Sequence, residues 1–413
     1  KRSRKILLYQ NVPCMRNFAT FRSIQKKLAD NNLILAKADK GEALVVIGAT
    51  EYEQKVVTFL ESNNAQISTF SFCEFNSKVR RAILDSQFVI TKKKDQFMVM
   101  HPRIPKLYGT IKTHKPDLSI RPVVASYTHP AFLMAKFLAK VFIDLTGFTA
   151  PYTVKNSAEL ALRLSDREYP PSAKLTSFDV RNMFSNIPIL KTITLMCDLL
   201  TNCGTPYPYV LEFKKLLNLC VKKNFCLFRG HTYMFKDGLP MGGPLSSLLA
   251  DVFMANFEEE ILSSAPHQEH VIEWVRYVDD ILCIWTGSLP ELNEFFLYLD
   301  SHHPSISFTL EMGSPSINYL DITITLSPSL NPPSLSPSFK IYRKPSFTGV
   351  LISGSSFHPH VHQRAGFLAM IHRLLSIPLS SADFQHELSI IEYLAHFNNL
   401  NLDVKKTVYR KIR

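Results

Sequence analysis

The chain has 413 residues, 46% hydrophobic and 20% charged, the make-up of a folded protein of two or three domains rather than of a disordered chain. Its net charge of +12 favours an anionic partner, nucleic acid or an acidic membrane surface. Seven scattered cysteines, odd in number and with neither Cys197/Cys203 nor Cys220/Cys226 at the C-x-x-C spacing of zinc sites, favour free thiols in a reducing compartment.

The chain opens on Lys1 rather than a methionine, as a piece of a longer protein would, and no signal peptide is evident. Positive charge gathers at the ends, in KRSRK (1–5) and KKTVYRKIR (405–413). Each reads either as a solvated tail or as a source of sequence-independent affinity for nucleic acid. Residues 1–95 mix basic helical segments with one apolar strand, ALVVIG (43–48), after KADKG. From 96 to 126 the pattern is short strands and turns rich in Pro and Lys. The stretch PAFLMAKFLAKVFIDLTGF (130–148) is apolar, but Lys136, Lys140 and Asp144 put one polar stripe on it. It reads as a largely buried helix, and no run of about 20 apolar residues spans a bilayer.

KLTSFDVRNMFSNIP (174–188) reads as a strand ending in polar residues, with Asp179 at the end of its apolar part. Alone, such an Asp often caps a following helix. In GLPMGGPLSSLLADVFMANFEEEIL (238–262), Gly-rich backbone leads to Pro244 in the expected first helical turn. Leu245, Leu248, Leu249, Val252, Phe253 and Phe257 then recur at three- and four-residue intervals, predicting an amphipathic helix. RYVDDILCIW (276–285) sets Asp279 and Asp280 between two β-branched and aromatic runs, predicting a hairpin with the aspartates at its turn. Asp-Asp suits a two-residue turn poorly, and its charges repel. Either the turn is solvated, or a divalent cation offsets the repulsion with a third ligand from elsewhere. Asp179 supplies that ligand: on adjacent strands it and Asp279 could hold two Mg²⁺ ions about 4 Å apart, the arrangement of in-line phosphoryl displacement. YLDITITL and SFKIYRK predict two more strands around a low-complexity loop (327–338), and the chain from about 357 reads as helical. His358, His360 and His362 alternate at the start of that region. They lack neighbouring Cys or carboxylates, and are better placed near nucleic-acid backbone than on a metal.

FDVRNMF, GLPMGGPLSS and RYVDD resemble, in that order, the palm motifs of reverse transcriptases. More narrowly, KADKGEALVVI, PKLYGTIKTHKP, SIRPVVAS, FSNIP and YRKPSFTG resemble Penelope-like retroelement reverse transcriptases, relatives of telomerase, over roughly residues 35 to 375. The resemblance implies an α+β, right-handed fingers–palm–thumb fold with an antiparallel palm sheet and a helical thumb. It divides the chain into a basic N-terminal region (1–95), fingers (96–173), palm (174–345) and thumb (346–413). It implies RNA-directed DNA synthesis from a DNA 3′ end on an RNA template, using dNTPs and two Mg²⁺ ions, with Mn²⁺ able to stand in. Asp179 and Asp279 would hold the metals with Asp280 beside them, and Lys112, Lys115 and Arg121 would grip the triphosphate. Gly238, Met241, Gly242 and Gly243 would let backbone approach the nascent base pair, since glycine lacks the blocking Cβ. Phe184 would be the gate against a 2′-hydroxyl.

Two departures stand out: Met241 occupies a place where Gln is common, and Ser307 one where Lys is common. The GIY-YIG endonuclease motifs usual in Penelope-like elements are not found before residue 413, which leaves room for a fused or separate nuclease outside this chain. No membrane partner is expected, and the nucleus is the expected site of action. An RNA-dependent RNA polymerase and a non-catalytic, polymerase-shaped nucleic-acid-binding protein are the alternatives.

Overall fold

The computed structural model describes residues 12–40, 43–113, 116–222, 224–235, 238–313, 315–329, 333–345 and 347–412. Lys115, the basic segment 1–5 and parts of the KADKG motif and of the 327–338 loop lie outside the described residues.

β-Branched and aromatic residues build a four-stranded antiparallel sheet in the order Phe308–Met312, Lys174–Val180, Asp280–Trp285, Val271–Tyr277. Alternation along the strands gives each face a core. Phe178, Ile281, Cys283 and Phe308 join a large cluster with three helices, Phe132–Thr146, Ile189–Asn202 and Ser246–Ser264. Leu175, Val275, Leu282 and Ile284 face a second cluster, shared with Ile322, Ile324 and Phe339 of a three-stranded sheet. That sheet comprises Ser316–Tyr319, Ile322–Pro328 and Leu335–Ile341, so strand takes in both ends of the segment expected to be a loop. Pairing across the meander, Leu326 against Pro337 and Pro328 against Leu335, outweighs the loop-like composition.

A third cluster joins Ile47, Val56, Leu107, Ile111, Val124 and Phe235. Here the hairpin Leu107–Ile111/Ile120–Val124 lies beside a second hairpin, Leu33–Lys37/Leu44–Gly48, through a bridge from Ala38 to Ile111. The strand Leu33–Lys37 was not expected from the sequence; LILAK is too short to declare its period, and its pairing with ALVVIG decides it. The helices His360–Ser376, Ser381–Phe397 and Val404–Ile412 enclose a fourth cluster around Phe367, Ile371 and Ile391. No helix among the described residues is long and apolar enough to cross a membrane, and Lys136, Lys140 and Asp144 all lie exposed on their helix.

The helix after the Gly-rich segment departs from expectation in two ways. It begins at Ser246, leaving Pro244 ahead of the first turn. It is also buried on nearly all sides, Ala250, Met254, Ala255 and even Glu258 included, so it is a central core helix rather than a one-faced one.

Candidate active site

The opposing register of two strands brings the acidic residues together. Asp280 lies directly across from Asp179, so both side chains leave the same face of the sheet at its open end. Val180 N donates to Asp279 O at 2.9 Å, tying the turn to the Asp179 strand. Tyr319 donates its hydroxyl to Asp280 O at 2.8 Å, bracing the same residue from the face below. The hairpin turn falls one residue earlier than the sequence suggests. Tyr277 pairs with Asp280, so Val278 and Asp279 form the two-residue turn and Asp280 opens the second strand. Val278 carries the positive φ, 59°, an uncommon conformation for a β-branched residue.

Beneath the turn lies a buried charged group that the sequence did not announce. The Arg276 side chain is fully buried; its Nε donates to Glu258 Oε1 at 2.8 Å, and its Nη1 to Asp251 Oδ1 at 3.0 Å and to Val278 O at 3.1 Å. Trp274 Nε1 adds a bond to Glu258 at 3.2 Å. Burial pushes the Glu258 carboxyl up, against the pull of Arg276. Arg276 thus holds the carbonyl of the strained turn residue from inside the core.

The three aspartates share one sheet edge and crowd one another. The Asp280 carboxyl is pushed up to about 6, first by the protein packed around it and then by the charges of Asp279 and Asp179, with Lys344 and Lys40 opposing. Asp280 is exposed by area, yet the dense turn withholds part of its hydration, and that loss raises the carboxyl. Carboxylate oxygens gathered against like charge are a donor set suited to a hard divalent cation. Among the described residues, however, the group with ligand atoms all within 4.8 Å of one another is His267, Glu269 and His270; the aspartates do not close to that distance.

Lys40 and Lys344 bring positive charge to this edge, and Arg121 lies close to Lys40. Arg121, on the strand Ile120–Val124, is paired through Nε with Asp39 Oδ1 at 2.8 Å, and Asp39 is buried. Thr110 Oγ1 also lies 3.4 Å from Asp39 Oδ1. Lys40 follows Asp39. Its ammonium is lowered to about 8 by burial first, then by a hydrogen-bond contact with Lys344 and the charges of Lys344 and Arg121, while Asp39 opposes. Lys40 and Lys344 received no individual role from the sequence. The signal was present in KADKG and YRKPSFTG, but only folding makes neighbours of two motifs about 300 residues apart. Lys112 is half-buried at the end of its strand, its backbone N donating to Ser119 O at 2.8 Å.

The Gly-rich segment runs between fingers and palm. Val124 N donates to Met241 O at 3.1 Å, and Ser126 Oγ donates to Gly242 O. Gly242 has φ 105°, and a Cβ there would meet Val124 O at 2.9 Å; at Gly238, φ 85°, it would meet Ser185 O at 2.4 Å. Both places need glycine for conformation and for room. Phe184 sits half-buried in the one-turn helix Met183–Asn186, and its carbonyl accepts from Leu239 N at 2.6 Å. The one-turn helix carrying Phe184 thus lies against Gly238 and Leu239, while Met241 and Gly242 bind the Val124–Ser126 backbone. His358, His360 and His362 are exposed at the start of their helix.

The arrangement is that of a template-directed polymerase of the fingers–palm–thumb type. The structure is similar to a telomerase from Candida albicans, in complex with a fragment of telomeric RNA, at TM-score 0.59 and 10% identity, covering 94% of this chain and 68% of that one. It is similar also to apo telomerase from Candida tropicalis, at TM-score 0.52 and 10% identity, covering 95% and 67%. At such identity the likeness is one of fold. No curated protein matches the sequence. Residues 113–301 match the family model described as reverse transcriptase (RNA-dependent DNA polymerase). The chain carries a reverse transcriptase domain, and that domain indicates an RNA-directed DNA polymerase, a nucleotidyltransferase. The matched segment holds Arg121, Asp179, Phe184, Met241, Gly242, Asp279 and Asp280, while Lys112 lies one residue outside it.

Proposed function

We propose that the chain is the reverse transcriptase of a Penelope-like retroelement, extending a DNA 3′ end on an RNA template. The observation that carries the reading is the register that sets Asp280 across from Asp179, with Asp279 in the adjoining turn and Arg121, Lys40 and Lys344 nearby. Asp179 and Asp279 would hold two Mg²⁺ ions, or Mn²⁺ in their place, and Asp280 would support them. Bound there, the metals would supply Lewis-acid stabilisation of the attacking and leaving oxygens. Arg121, oriented by Asp39, together with Lys112, Lys115, Lys40 and Lys344, would neutralise the triphosphate and the charge that develops on it in transfer. Met241 and Gly242 would bear on the nascent pair through backbone, and Phe184 would floor the deoxyribose. Such an element meets chromosomal DNA in the nucleus, where we place the reaction.

The test is primer extension on matched RNA and DNA templates with Mg²⁺, supplied with dNTPs or NTPs. The expected result is dNTP incorporation on RNA, lost by about a thousandfold or more in Asp279→Asn while primer–template affinity stays within a few-fold. The fold-change is that of removing a group worth at least about 4 kcal/mol of transition-state stabilisation. Near-normal extension by Asp279→Asn would remove the metal assignment. Equal use of NTPs by the wild type would favour an RNA-dependent RNA polymerase.

A further inference from the structure

At the opposite end of the hairpin from the aspartates, His267, Glu269 and His270 bring their ligand atoms within 4.8 Å of one another. They lie on and beside the single turn Gln268–His270 that leads into the strand Val271–Tyr277. Seven residues of strand separate them from the Val278–Asp279 turn, about 20 Å at roughly 3.3 Å per residue. Across from them the helix Leu289–Ser301 presents Glu291 and Glu294, three positions apart and so on one face. His267 Nε2 is 2.9 Å from Glu294 Oε2, and His270 Nε2 is 3.7 Å from Glu291 Oε2 and 4.0 Å from Glu269 Oε1.

Paired His and Glu side chains on a surface need no ion, but two features go beyond pairing. First, a Cβ at Gly287 would come within 2.7 Å of His270 Cδ2 and 2.9 Å of Glu291 Oε2, so the lack of a side chain there leaves the space in which imidazole and carboxylate converge. Second, the ring of His270 is steered. Thr286 Oγ1 lies 3.5 Å from its Nδ1, and the ring meets Trp285 edge-on at 5.4 Å, which turns Nε2 toward the carboxylates. A partner on one imidazole nitrogen that aims the other is the usual support of a metal-ligating histidine.

We propose that this cluster is a structural site for one Zn²⁺ ion, with His267, His270 and Glu269 as ligands and Glu291 or Glu294 completing the set. Two imidazoles with carboxylates suit Zn²⁺ better than Mg²⁺, which prefers oxygen and water. Bonds of about 2.0–2.2 Å to tetrahedral zinc put ligand atoms about 3.4 Å apart, so the present cluster, within 4.8 Å, needs to close by about 1.4 Å at most. The ion would staple the base of the catalytic hairpin to the helix Leu289–Ser301. The side chains of His267 and His270 are 27% and 29% exposed, which leaves a path for the ion.

The experiment titrates Zn²⁺ into chelator-treated full-length protein without a histidine tag, against a chromophoric zinc chelator and in millimolar Mg²⁺. One equivalent should bind and should change the fluorescence of the neighbouring Trp285. Glu269→Gln should weaken binding at least tenfold, and His270→Gln should abolish it. Asp279→Asn should leave it intact. Gly287→Ala provides an independent variant and should also weaken binding. If no stoichiometric zinc is taken up, or if Asp279→Asn removes it while His270→Gln retains it, the site is not here. Failure at this cluster would leave the polymerase reading untouched.

Discussion

Phe184 is a half-buried ring whose backbone, not its side chain, ties it to the Gly-rich segment through Leu239. The ring packs partly against the large core cluster, and under the proposed function its exposed part, five residues after Asp179, would floor the sugar. A ribose adds one hydroxyl, and overpacking a rigid pocket costs about 1–3 kcal/mol. At about 1.4 kcal/mol per decade this supplies roughly one to two decades of discrimination. The hydroxyl would also forfeit water partners against an apolar ring. Phe184→Ala should therefore raise NTP use relative to dNTP use by about ten- to a hundredfold, at some loss of rate. Incorporation efficiencies for one dNTP and its matching NTP measure it, and an unmoved ratio would return Phe184 to the core it partly packs against. The departure at Met241 fits the same scale. Its carbonyl, rather than its side chain, makes the contact to Val124, so the missing Gln removes a side-chain amide without disturbing the local backbone.

Among elements, the hairpin was legible as a type but not in its register. Alternation around Asp279 and Asp280 announces two strands, but it cannot say which residue accepts the positive φ. Asp was the reasonable choice by propensity, and Val278 bears it instead. The reason lies in Arg276, which holds the Val278 carbonyl from beneath. A charged residue reads by default as surface, so its burial could not be inferred from RYVDD alone. Removing one member of a buried ion pair typically costs about 3–5 kcal/mol, while replacing both with apolar groups is often neutral. Glu258→Gln should thus destabilise the hairpin by roughly that amount at its upper bound, since Asp251 still faces Arg276. Glu258→Leu with Arg276→Met should recover most of the loss. Both tryptophans of the chain, Trp274 and Trp285, sit on this hairpin, so fluorescence during urea unfolding reports on it directly. A double variant no more stable than the single one would mean that the charges specify the turn rather than merely fill the core.

Across the whole molecule, the ordered motifs made the palm legible because its candidate site residues lie in short continuous runs. The fingers core was less so, because it draws on Ile47, Leu107 and Phe235, which no sequence window contains together. The three C-terminal helices were legible as helices, but their separate core and its attachment were not. They meet the three-stranded sheet and its margin through Ile377 and Leu379, which pack against the second cluster, and through a few ionic ties. Arg343 forks onto Glu387, a buried carboxylate; Arg373 reaches Asp321 at 2.8 Å, and Lys340 reaches Asp383 at 3.4 Å. Asn398 adds bonds to Gly349 O and Leu351 N at 2.8 and 2.7 Å. A cluster with its own core and few attachments behaves as a separate unit of local stability. Amide exchange in His360–Ser376 and Ser381–Phe397 should therefore proceed through openings that leave Lys174–Val180 and Asp280–Trp285 protected. Glu387→Leu removes a charge-assisted pair worth about 1.5–3 kcal/mol. It should speed exchange in those helices by roughly ten- to a hundredfold while the palm strands stay within a few-fold. Exchange rising equally in both regions would mean that thumb and palm unfold as one body, and that the ionic ties do not set the thumb's mobility.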